Sequence, residues 1–85
     1  MRAERIPVHH LAGVTWHRVW KSPNATMMIG ETVWARGDTI DRRWVAWHSR
    51  RGAGYAFWDE RAACELADRW LVRGDWQEQE IDEAA

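Results

Sequence analysis

The sequence predicts an α+β domain: a small antiparallel sheet of three to five strands with one main helix packed on one face. Three observations carry that reading. Apolar and polar residues alternate with period two over 14–20 and 40–49, with β-formers over 31–36, as in strands half-buried on a sheet. One stretch, 60–73, instead repeats its apolar residues at i, i+3 and i+4, as an amphipathic helix does. With 85 residues and a hydrophobic fraction of 46%, the chain can build one core and has no room for a second.

Residues 1–12 read as a polar N-terminal arm with one extended stretch, Ile6-Pro7-Val8, and residues 13–74 as the single domain. In the first strand, Val14 to Trp20, the alternation puts Val14, Trp16, Arg18 and Trp20 on one face and Thr15, His17 and Val19 on the other. Lys21-Ser22-Pro23-Asn24 breaks it. Residues 22–30 fit two readings: a short helix started by Ser22-Pro23 and capped by Gly30, or an extended segment through Thr26-Met27-Met28-Ile29. Glu31 to Arg36 follows as a strand, and Gly37-Asp38 turns the chain.

Ile40 to Ser49 is the clearest strand, with Ile40, Arg42, Trp44, Ala46 and His48 on one face and Asp41, Arg43, Val45, Trp47 and Ser49 on the other. The two glycines of Arg50-Arg51-Gly52-Ala53-Gly54 suit a hairpin loop, and Tyr55 to Trp58 returns as its partner strand. Asp59 is the N-cap of the helix and Glu60 suits its positive end. Ala63, Leu66, Ala67, Trp70 and Leu71 form the apolar stripe, Arg73 falls in the last turn and Gly74 at the C-cap. Trp76 to Ile81 reads as a short edge strand within an acidic C-terminal tail, 75–85, because Gly74-Asp75 signals a turn.

Eight tryptophans raise the functional question. A covered indole buries roughly 150–250 Å², on the order of 4–6 kcal/mol gross, and a domain of this size has little interior to hold eight. Trp44 and Trp47 lie three positions apart, so in an unbulged strand they project to opposite faces. One helix covers only one of them. The other needs residues 22–29, the N-terminal arm, a symmetry mate or a different molecule, unless a β-bulge intervenes.

Charge is distributed unevenly. Residues 74–85 carry Asp75, Glu78, Glu80, Asp82 and Glu83 and no basic side chain, while the rest holds all twelve Lys and Arg against eight acids. Arg42, Arg43, Arg50 and Arg51 bracket the hairpin and interleave with Trp44, Trp47, Tyr55 and Trp58. Guanidinium groups with aromatic faces are what nucleic-acid binding uses, and Trp, Tyr and Arg equally dominate protein hot spots. The candidate binding residues are therefore Arg42, Arg43, Trp44, Trp47, Arg50, Arg51 and Tyr55. The near-neutral net charge of −1 and the acidic tail favour a protein partner, docked on a Trp/Arg-rich sheet face. A DNA- or RNA-binding role for the arginine-rich hairpin is the alternative, and the uncovered face also suits a homodimer.

The order of a short sheet followed by one helix resembles the arm-binding domains of some phage integrases, which read DNA with the sheet. The resemblance covers element order over about residues 14–73, and no motif is matched residue by residue.

Catalytic and metal chemistry find little support. His9, His10, His17 and His48 lack zinc-ligand spacing, and one cysteine, Cys64, excludes an internal disulfide or a multi-cysteine site. Cys64 has no histidine neighbour to activate it, and helix capping accounts for Asp59 and Glu60. Gly52-Ala53-Gly54 precedes a strand, so it is no phosphate loop. No run reaches a membrane span's ~20 apolar residues, and Met1 to Arg5 lacks the apolar core of a signal peptide. The expectation is a cytoplasmic, non-enzymatic binding module without cofactor, metal or membrane contact. It has the scale of the small regulators or inhibitors that phages and mobile elements encode.

Overall fold

The computed structural model describes residues 4–81. The first three residues of the expected arm and the last four of the tail, Asp82 and Glu83 among them, lie outside the described residues. The chain runs β1 (Glu4–Pro7), a 3₁₀ segment (Val8–Gly13), β2 (Thr15–Ser22), β3 (Ala25–Arg36), β4 (Thr39–His48), β5 (Ala53–Phe57), α1 (Glu60–Leu71) and β6 (Gln77–Gln79). The strands form one antiparallel sheet in the order β1-β5-β4-β3-β2-β6, with α1 packed on one face.

The sheet has six strands, not the expected three to five. Both short edge strands are made by pairing rather than by any pattern of their own. Ile6 pairs with Gly54 and draws part of the presumed arm into the sheet, and Pro7, which lacks an N–H, is tolerated on that edge. At the other edge Glu78 pairs with Trp20, so the favoured edge strand forms over three residues of the tail.

Residues 25–36 form one continuous strand, which resolves the ambiguity over 22–30 against a helix. Pro23-Asn24 is a two-residue turn between Ser22 and Ala25. The pairing of Met27 with His48 and Ile29 with Ala46 buries Met27 and Ile29 completely, a gain that outweighs the helix-start signal. Of the hairpin glycines only Gly52 takes positive φ, at 71°, because Gly54 already lies within β5.

β2 contains a bulge between Trp16 and Arg18. It turns Trp16 to the face opposite Arg18 and Trp20, correcting the shared face read from unbroken alternation. Gly30 sits across from it, and a Cβ there would collide with the Thr15 backbone oxygen and lie 2.8 Å from Val14 Cγ1. Glycine at this position is what lets β2 and β3 approach.

The N-cap and the apolar stripe of the helix appear as read, but its C-terminus does not. α1 ends at Leu71 with Val72 as its C-cap, so Arg69 is the basic residue of the last turn. Arg73 and Gly74 lie beyond the helix, where Gly74 takes positive φ in the reversal toward Trp76. Asp59 Oδ1 accepts from the Ala62 N–H at 2.8 Å, and Ala63 and Ala67 are buried. These small residues bring α1 close to Trp20, Met27, Ile29, Ala46 and Phe57. Trp44 packs here, half-buried.

Trp47 projects to the other face, as its odd spacing from Trp44 requires. That face is not uncovered. The 3₁₀ segment lies over it, so Leu11, with Ile6, Val14, Val45 and Ala56, builds a second small core lined by Trp16, Trp34 and Trp47. This corrects the expectation of one core only, because a sheet covered on both faces buries apolar side chains on each. The N-terminal segment covers that face in part, leaving Trp16, Trp34 and Trp47 half-buried beside it.

Candidate functional site

Pairing with β2 ends at Glu31 and pairing with β5 ends at Trp44, so the far halves of β3 and β4 project as a two-stranded ribbon. At the opposite end of β4 lies the hairpin to β5. Two residues, Trp58 and Asp59, then join β5 to α1. A twelve-residue helix is about 18 Å long and a five-residue strand about 17 Å, so α1 returns its last turn to the hairpin.

That return assembles a cleft of about 700 Å³. Arg51 comes from the hairpin, Arg69 and Trp70 from the last turn of α1, Arg73 from just beyond it, and Trp76 from the approach to β6. His48, Leu66 and Val72 complete the described lining, none of which is acidic. The Arg51 guanidinium lies 5.3 Å from the centre of the Trp70 ring. His48 meets Trp70 and Trp76 edge to face, with ring centres 5.6 and 5.4 Å apart. Its Nδ1 accepts the Arg50 backbone N–H at 3.1 Å, which requires a free lone pair there. Burial, followed by the charges of Arg51 and Arg50, holds the His48 pKa below its ordinary value. The floor of the cleft is therefore a neutral aromatic cluster and its rim is cationic.

The seven expected site residues do not form one patch. Arg51 and Tyr55 converge on Trp70, with Tyr55 and Trp70 ring centres 6.2 Å apart, and exposed Arg50 adjoins them on the hairpin. Trp44 and Trp47 are half-buried on opposite faces, Trp44 beside His17 at 5.5 Å and Trp47 beside Trp16 at 6.4 Å. Arg42 is 71% exposed on the ribbon, its Nε 3.7 Å from Glu31 Oε2.

Arg43 is buried, with 3% exposure. Its guanidinium stacks 3.3 Å from the centre of the Trp58 ring and 5.3 Å from that of Trp34. Nη1 donates to the Arg42 carbonyl oxygen at 3.1 Å, and Nη2 stands 3.8 Å from Asp41 Oδ2. Nε has no hydrogen-bond partner. This arginine is a packing residue under an exposed indole.

Sequence reasoning missed Arg69, Arg73, Trp76 and the role of Trp70. The i, i+4 spacing of Arg69 and Arg73, combined with the matched lengths of β5 and α1, was the signal that pointed to them. Elsewhere, burial and then the Glu60 carboxylate push the Cys64 thiol pKa up, away from nucleophilic chemistry. No group of three or more His, Cys, Asp or Glu suited to a metal occurs among the described residues. No helix among them is long and apolar enough to cross a membrane.

Comparison with protein-family models, curated proteins and solved structures finds no match to this chain.

Proposed function

We propose that this chain is a non-enzymatic nucleic-acid-binding module and that the cleft between the β4–β5 hairpin and the end of α1 is its binding site. One observation carries the reading: Arg51, Arg69 and Arg73 converge from separate segments on Trp70 and Trp76, around a concavity whose described lining holds no acid. Guanidinium groups pair with phosphates, and indole faces receive unpaired bases. The net charge of −1 is no obstacle, because a local field of one sign acts on the ligand within a Debye length.

Fluorescence anisotropy with a labelled single-stranded oligonucleotide, titrated over a salt series, tests the proposal. Affinity should fall steeply with salt. Arg51→Ala, Arg69→Ala and Arg73→Ala should each reduce the slope of log K against log salt by roughly 0.7–1. Arg42→Ala, on the remote ribbon, should leave it unchanged. An absent or salt-independent interaction overturns the proposal.

A protein partner is the second reading, favoured by a separate observation. Ile40, 74% exposed, and Val33, 54% exposed, lie with Ala35 on the ribbon, on the same side of the sheet as α1. Apolar side chains gathered on a projecting element suit protein docking. In that case binding centres on Ile40 and is insensitive to the three cleft arginines.

A further inference from the structure

Trp76 reaches the cleft from outside the helix, on the segment between α1 and β6, and three fasteners hold it there. Gly74 has φ 113°, in the left-handed region, and a Cβ at that position would stand 3.2 Å from Trp76 Nε1. Glycine alone lets the chain reverse with the indole folded against the reversal. Trp76 Nε1 then donates to the backbone carbonyl oxygen of Arg73, two residues past the end of α1, at 3.0 Å. Beyond it, β6 is only three residues long, and each of the three is exposed. Its side-chain tie is a forked ion pair: Arg18 Nε and Nη2 donate to Glu78 Oε2 and Oε1 at 3.0 and 2.9 Å. Arg18 is itself steadied over Trp20, 4.5 Å from the ring centre. Neither member of the pair lines the cleft.

Building on the cleft's assignment to nucleic acid, we infer that residues 74–79 are a strap holding Trp76 as a base-stacking wall, that the ligand is a single strand, and that Arg18 and Glu78 are positioning residues for it. Two features select a single strand. Duplex readers insert a convex element into a groove, whereas this site is a concavity. An indole wall also finds base faces only where bases are unpaired. The strap moreover makes a prediction opposite in sign to simple charge. Removing the Glu78 carboxylate from a protein that binds a polyanion should tighten binding if only electrostatics acted. If Glu78 fastens Trp76, the same change loosens it.

The test uses the full chain, a short single-stranded oligothymidylate and the oligothymidylate–oligoadenylate duplex of equal length, together with hydrogen exchange at the Trp76 indole N–H. Glu78→Gln should speed that exchange and weaken single-strand binding, each about two- to fivefold, as loss of an exposed forked pair implies. Exchanging the partners, Arg18→Glu with Glu78→Arg, should restore both. The single strand should bind at least about tenfold more tightly than the duplex, as loss of one stacked base implies. Unchanged or tighter single-strand binding by Glu78→Gln, or equal affinity for the duplex, overturns the inference while leaving the cleft reading intact. A wild-type chain that binds neither probe overturns the cleft reading itself, and normal Trp76 exchange in Glu78→Gln then independently removes the strap.

Discussion

Arg43 and Arg51 are equivalent in the sequence, each an arginine beside an arginine near tryptophans, yet the structure gives them opposite tasks. Arg51 stands on a hairpin over Trp70 with its guanidinium at the cleft, while Arg43 is sealed against Trp58 and Trp34. Alternation assigns Arg43 its face, but burial depends on where Trp58 folds after β5, which is a tertiary event. Replacing a buried side chain of this size removes its packing and its cation–π contact together. Arg43→Ala should therefore lower stability by about 2–4 kcal/mol, measured by denaturant unfolding, and leave the salt slope of nucleic-acid binding unchanged. A variant of normal stability with a reduced slope would make Arg43 a contact residue instead.

Among the elements, those fixed by local chemistry were legible and those fixed by pairing were not. The N-cap of α1, its apolar stripe and the alternation of β4 are written within a few residues, and they appear where expected. The opposite projection of Trp44 and Trp47 follows from strand period alone and holds, because the bulge falls in β2 rather than β4. The 3₁₀ segment and β1 carry no such pattern. They are ordered by what they cover, above all by Leu11 packed on the second core. Leu11→Ala should cost about 2–4 kcal/mol and make Trp16 and Trp47 more accessible to a quencher. Unchanged stability and quenching would mean that this segment is not the cover of the second face. The cleft lay between these extremes: Arg51 was identified on the hairpin, whereas Arg69, Arg73 and Trp76 join it only through the antiparallel return of α1.

For the whole molecule, the eight indoles divide by task. Trp16, Trp34 and Trp47 line the second core, while Trp20 and Trp44 pack beneath α1. Trp58 covers Arg43, and Trp70 and Trp76 combine packing against the main core with a surface on the cleft. This division resolves the apparent surplus, since two cores on opposite faces of one sheet absorb most of the rings. Among the described residues, Trp70 and Trp76 stand beside Arg51, Arg69 and Arg73 at one corner, while Trp58, 61% exposed, lies over Arg43 outside that lining.

The direct test is to follow the eight indole N–H resonances by NMR while adding the single-stranded oligothymidylate. Trp70 and Trp76 should shift, together with the side-chain signals of Arg51, Arg69 and Arg73, while Trp16, Trp34 and Trp47 stay in place. No shift at saturating oligonucleotide, or shifts centred on Val33, Trp34 and Ile40, would contradict the cleft as the binding site.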